Sequence, residues 1–156
     1  MIQRIQTLYL LAAEVLTAIL FFSKLASFLT TDGQQLVLNY NGLYQIKNGV
    51  LEKMVAAWPL AVILIVAAIV GFFVIFLYRR RMLQIRVCFL AMFLNVGVLV
   101  LLGYYIYSVA AVGNSTMTLS TVDSFPLLSI IFYYLAYRGI AKDEAKVIAS
   151  SFRSRR

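Results

Sequence analysis

The chain has 156 residues, of which 63% are hydrophobic and 13% charged, where soluble domains carry about 25% charged residues. A water-soluble fold of this length cannot hide that much apolar surface, so the excess points to hydrocarbon as the solvent. The net charge of +8, the absence of histidine and the lone cysteine, Cys88, exclude an internal disulfide, a thiolate or bis-histidine metal site and the commonest general base.

The first apolar run covers residues 5–29. The segment Ser23-Lys24-Leu25-Ala26-Ser27 near its end lacks a small-x-small cleavage pattern, so it reads as an uncleaved first span. The following loop, residues 30–57, contains Gln35–Tyr40, then Asn41-Gly42, then Leu43–Lys47 and Asn48-Gly49. Asn-Gly between two β-prone runs predicts a hairpin, with Tyr40 opposite Leu43 and Val37 opposite Ile46.

The second span covers residues 58–78. It opens on Trp58-Pro59, which suits an interfacial first turn, and stops at Arg79-Arg80-Arg81. The third covers 82–107 and closes on Tyr104, Tyr105 and Tyr107, after which Ser108–Thr121 reads as an uncharged loop. The fourth, 124–138, starts at Asp123 or Ser124 as cap with Pro126 in its first turn. Residues 139–156 form a basic tail. Ile140, Val147, Ile148 and Phe152 can share one helix face beside Lys142, Lys146 and Arg153, which predicts that the fourth span continues as an interfacial helix.

Charge orients the spans. Arg4, Arg79, Arg80, Arg81, Arg86, Arg138, Lys142, Lys146, Arg153, Arg155 and Arg156 fall on one side, and Lys24, Lys47 and Lys53 on or near the other. The positive-inside rule makes the first side cytoplasmic, and four crossings return both termini to it. The expected fold is therefore a single-domain all-α membrane protein. It is a four-transmembrane-helix antiparallel bundle with a small extracytoplasmic β-hairpin and a cytoplasmic C-terminal helix extension.

Within the spans, Glu14 lies about 13 Å into the first and Arg86 about 7.5 Å into the third, both leaning toward the cytoplasmic side. Glu14, Arg86 and Asn95 form the candidate buried polar site. Its readings are a proton or substrate site, a structural Glu14–Arg86 pair, or a snorkelling carboxylate. Asn95 reads as interhelical glue. Ala13-x-x-x-Thr17 and Ala67-x-x-x-Gly71 fit close helix approach. Catalytic motifs, phosphate-binding glycine loops and metal-ligand clusters are absent from the sequence, so neither a metal nor another cofactor is expected.

Three stretches carry a resemblance across essentially the whole chain. They are Met1-Ile2-Gln3-Arg4-Ile5-Gln6-Thr7-x-Tyr9-Leu10-Leu11, Leu83-Gln84-x-Arg86, and Phe125-Pro126 with Leu135-Ala136-x-Arg138-x-Ile140-x-Lys142-Asp143-Glu144. In these the chain resembles an uncharacterised four-helix inner-membrane protein family of Bacteroidota, a family of domains of unknown function. Glu14 is outside that pattern. The resemblance implies the topology and a bacterial inner-membrane location, and no activity. Its polar residues, Gln3, Arg4, Gln6, Gln84, Arg86, Arg138, Asp143 and Glu144, all fall at cytoplasmic span ends. There they can form one polar cluster, either a lock on the helix ends or a surface for a partner.

The functional expectation is a non-catalytic accessory or scaffold subunit of a larger inner-membrane complex. The alternative is a small transporter or a lipid- or quinone-binding protein using a cavity near Glu14, Arg86 and Asn95. The expected surroundings are a bilayer with anionic headgroups, with no nucleic acid partner.

Overall fold

The structure is a computed structural model that describes the backbone of residues 2–29, 35–47, 50–112, 116–119 and 121–153, and the side chains of residues 5–29, 35–46, 52–109 and 121–147. Four helices dominate: α1 (Ile2–Phe22), α2 (Trp58–Phe76), α3 (Arg81–Val112) and α4 (Phe125–Arg153). Each contains a segment long and apolar enough to cross a membrane. Between them lie five short strands, β1 (Ala26–Leu29), β2 (Gln35–Asn39), β3 (Gly42–Lys47), β4 (Val50–Ala56) and β5 (Thr116–Leu119).

The helices interlock through one stripe each. Gln6, Leu10, Ala13, Thr17 and Leu20 are buried on α1, and Leu60, Leu64, Ala67, Gly71 and Val74 on α2. Gln84, Cys88, Ala91, Asn95, Val98 and Leu102 are buried on α3, and Ser129, Tyr133, Ala136 and Ile140 on α4. In every helix these positions step by three and four residues alternately, the repeat that keeps a seam facing its neighbours in a left-handed bundle. α1 packs against α2 and α4, and α3 packs against the same two, so α1 and α3 lie diagonally opposite. The turn between α2 and α3 is a single 3-10 turn, Leu77–Arg79, closed by the Arg80 N–H on the Leu77 carbonyl at 2.9 Å. Such a short link forces antiparallel neighbours.

Two span limits and one loop differ from those read off hydropathy. Residues 26–29 leave α1 and become β1, where Ala26 and Phe28 are buried and Ser27 and Leu29 are exposed. Apolarity alone does not separate a helix end from a strand, whereas length does: the 21 residues of α1 already reach about 31 Å, enough to cross the hydrocarbon. The fourth helix does not stop at residue 138. α4 continues without a break to Arg153, so the expected tail helix and the span are one rod. Residues 116–119 of the supposed loop are strand β5.

The expected hairpin is part of a five-stranded antiparallel sheet in the order β4-β3-β2-β1-β5. It joins both interhelical loops at one end of the bundle, here called the sheet end; the opposite end, with the arginine turn, is the basic end. The hairpin register also differs from that expected. Leu38 pairs with Leu43, Asn39 with Gly42 and Val37 with Tyr44, so the turn is Tyr40-Asn41. The offset is two residues, which leaves every side chain on its expected face. Two contacts explain it. The Asn41 carbonyl accepts from the Ala57 N–H at 3.2 Å, tying the turn to the start of α2. Gly42 is drawn into β3 because β4 passes close by: a Cβ there would stand 2.7 Å from the Val55 carbonyl oxygen and 2.9 Å from Lys53 Cε. The second Asn-Gly, residues 48 and 49, lies outside the described residues, between Lys47 and Val50, which pair.

One sheet face closes the bundle. Leu25, Ala26, Phe28, Leu38 and Leu43 form a single cluster with Leu20, Leu60, Leu64, Val98 and Leu102 of three helices. The Phe21 and Tyr40 rings meet edge to face at 5.5 Å.

Gly42→Val is therefore expected to cost about 1–3 kcal/mol through overpacking, lowering the melting temperature in detergent, while Asn41→Gly at the exposed turn has little effect. The reverse order would show that Gly42 serves the turn and not the close strand approach.

Candidate functional site

Polar side chains meet at three levels of the bundle, and at each level the partners come from α1 and α4. At the basic end, Gln6 Nε2 of α1 donates to Asp143 Oδ2 of α4 at 2.6 Å. Gly139, one turn before Asp143, gives Gln6 its place: a Cβ there would be 3.0 Å from Gln6 Cγ. From α3, Gln84 Nε2 donates to the Val74 carbonyl of α2 at 3.2 Å. Gln6 and Gln84 are 8% and 6% exposed, so both amides are withdrawn from solvent and bonded.

These residues surround a partly open cleft of about 150 Å³, lined by Gln6, Thr7, Tyr78, Arg81, Gln84, Ile140 and Asp143. All four helical segments contribute, because Tyr78 belongs to the 3-10 turn that ends α2 and Arg81 begins α3. The neighbouring Arg79 guanidinium lies 5.9 Å from the Tyr78 ring centre, a cation–π distance.

Midway along α1, the Tyr133 hydroxyl of α4 donates to Glu14 Oε2 at 3.2 Å. Gly71 of α2 makes this possible, since a Cβ there would run into both Glu14 Oε2 and the Tyr133 hydroxyl. One turn further toward the sheet, the Ser129 hydroxyl of α4 and the Thr17 hydroxyl both donate to the Ala13 carbonyl, at 3.2 and 3.0 Å.

The expected grouping of Glu14, Arg86 and Asn95 is not formed. Arg86 is exposed on α3, diagonal to α1, and the partner of Glu14 is Tyr133. Asn95 is fully buried seven residues beyond Cys88, about 10 Å along α3. It does not glue two helices: its Nδ2 donates to Ala91 of its own helix at 2.9 Å, and its Oδ1 has no hydrogen-bond partner among the described residues. The basic-end cluster is realised in its centre, by Gln6, Gln84 and Asp143. Arg138 is exposed, and Glu144 is half-buried and does not line the cleft. The side chains of Gln3 and Arg4 lie outside the described residues.

Sequence reasoning passed over Tyr133, Ser129 and Thr17 as buried polar partners, and Thr7, Tyr78 and Arg81 as cleft residues. The alternating three-four step would have found the first group: counted back from Asp143 it runs through Ile140, Ala136, Tyr133 and Ser129, and counted on from Gln6 through Leu10, Ala13 and Thr17. The second group follows only from the 3-10 turn, which brings the end of α2 over the start of α3.

Tyr133→Phe removes one interhelical hydrogen bond and is expected to cost about 0.6–1.7 kcal/mol, read as unfolding in mixed micelles. Gly71→Leu should exceed that loss, because it expels both partners at once. Asn95→Leu removes a buried acceptor without a partner, so stability should stay level or rise by about 1 kcal/mol. A large loss would show that Oδ1 is satisfied.

A comparison with curated proteins finds no match. The model of a family described as a domain of unknown function, DUF4293, matches residues 2–153. The match spans all four helices and the sheet, including every residue of the cleft and of the α1–α4 polar contacts, and the chain belongs to the DUF4293 family.

Proposed function

We propose that the protein is a non-catalytic integral protein of the bacterial inner membrane, with both termini cytoplasmic, that serves as an accessory or scaffold subunit of a larger membrane complex. The orientation rests on the arginines and lysines gathered at the basic end and the tail, against three lysines toward the sheet.

One observation carries the functional reading. Among the described residues, α4 bonds to α1 at three levels: at the side chains of Gln6 and Glu14 and at the Ala13 carbonyl. Contacts of this kind support a role in holding the helices together. What the bundle then presents laterally is apolar surface. On α2 this includes Phe72, Phe73 and Phe76, all more than half exposed, with the Phe72 and Phe76 rings 4.8 Å apart. Clustered aromatic side chains are favoured anchors in protein interfaces, and α2 offers them on a helix whose turn into α3 is short and rigidly closed.

Extraction of the full-length, natively expressed protein in a mild detergent, followed by affinity purification, should recover a membrane protein partner in stoichiometric amount. Replacing Phe72 and Phe76 by alanine should lower that recovery without lowering the abundance of the protein. Recovery of the chain alone from untreated native membranes would sink the proposal. A C-terminal reporter active only in the cytoplasm tests the orientation separately.

A further inference from the structure

The cleft at the basic end combines features that a structural lock does not require. It holds a cation, Arg81, and an anion, Asp143, in one partly open space of about 150 Å³. Two amides more than nine-tenths buried, Gln6 and Gln84, form its inner wall. Its residues fall at the limits of the apolar segments: Gln6 and Thr7 at the start of the first, Tyr78 at the end of the second, Arg81 and Gln84 at the start of the third, Asp143 near the end of the fourth. That is headgroup depth. Thr7 and Tyr78 are both exposed and mark the rim between α1 and α2. Further along the same two helices Leu8 and Leu11 on α1 and Phe72 and Phe76 on α2 are exposed.

We propose that this cleft binds the headgroup of an aminophospholipid, a phosphoethanolamine ester. Arg81 takes the phosphate, Asp143 takes the primary ammonium, and the acyl chains lie along the apolar faces of α1 and α2. The charges select this class. A purely anionic headgroup would meet Asp143, and a purely cationic ligand would meet Arg81, with Arg79 and Arg80 next to it in the chain. A zwitterion satisfies both. Arg81 opens α3, so the positive end of that helix adds to the attraction for phosphate. A primary ammonium donates hydrogen bonds to a carboxylate, which a trimethylammonium lacks the hydrogens to do. The site therefore distinguishes ethanolamine from choline. The acyl chains share the Phe72 and Phe76 face with the protein partner proposed above, so the test uses the purified chain, on which lipid alone can occupy that face.

The test uses the full-length protein in detergent and native mass spectrometry, with phosphatidylethanolamine, phosphatidylcholine and phosphatidylglycerol titrated separately. A parallel arm uses soluble glycerophosphoethanolamine. Phosphatidylethanolamine should bind at least about tenfold more tightly than phosphatidylcholine, the effect of one charge-assisted hydrogen bond. Arg81→Gln should weaken all three lipids. Asp143→Asn retains an oxygen to accept from Gln6, so it preserves the fold; it should weaken phosphatidylethanolamine alone and abolish the preference over phosphatidylcholine. Melting temperatures close to that of the parent protein confirm that both variants are folded. Equal retention of the three lipids, no retention of any, or tightest binding of phosphatidylglycerol would overturn the proposal. So would soluble glycerophosphoethanolamine binding as tightly as the lipid, which would assign the cleft to a water-soluble zwitterion.

Discussion

Inside a bilayer a polar side chain has no water to fall back on, so its partner must come from the protein. That constraint organises this bundle. α1 brings Gln6, Glu14 and Thr17 into the spans, and α4 answers with Asp143, Tyr133 and Ser129. Hydrophobic burial contributes little to helix association in lipid, because the acyl chains are as apolar as leucine. Close packing and these bonds hold α1 to α4, and the small residues on the seams, Ala13, Ala67, Gly71, Ala91 and Ala136, let the backbones approach. The placement of Gly71 shows how the two devices combine: the space left by its missing side chain is where the Glu14–Tyr133 pair lies.

The two ends of the bundle are finished differently. At the sheet end, apolar packing dominates, and aromatic and aliphatic side chains from β1, β2 and β3 sit against α1, α2 and α3. At the basic end no sheet covers the helices, and amides and charges occupy the gap, leaving the cleft. Edge strand β4 exposes Glu52 and Lys53. Charges on an edge discourage further strand pairing, so the β4 edge is guarded against edge-to-edge growth.

Four apolar runs, the short link at Arg79-Arg80-Arg81 and the arginine asymmetry were legible in the chain; of the eight polar residues expected to cluster at the basic end, Gln6, Gln84 and Asp143 line the cleft, whereas Arg86 and Arg138 are exposed. Each is a local property or a count along the sequence. The misjudged features share a different origin, because they depend on which helices become neighbours. Glu14 and Arg86 lean toward the same side of the membrane, but depth says nothing of lateral position, and α3 lies across the bundle from α1. Asn95 is a buried amide on an apolar helix, and whether it bonds to a neighbour or to its own backbone depends on what faces it. The sheet was underestimated for a similar reason. Residues 26–29 read as the end of a helix because their strand partners are 6 to 12 residues away on one side and 87 to 93 on the other.

That separation shapes how the molecule is assembled. The Ala26–Leu29 strand follows α1 after a link of three residues and pairs on one side with Gln35–Leu38, which leaves the ribosome almost at once. Its other edge waits for Thr116–Leu119, which emerges only after α2 and α3 have been made. Until then the strand carries a row of unpaired N–H and C=O groups. The final strand can close the sheet only when α3 has formed and delivered residues 116–119 to the end of the bundle where residues 26–29 lie. Completion of the sheet thus depends on a segment far along the chain: where residues 116–119 fail to reach residues 26–29, an open strand edge is left, the kind of surface by which incompletely folded proteins associate with one another.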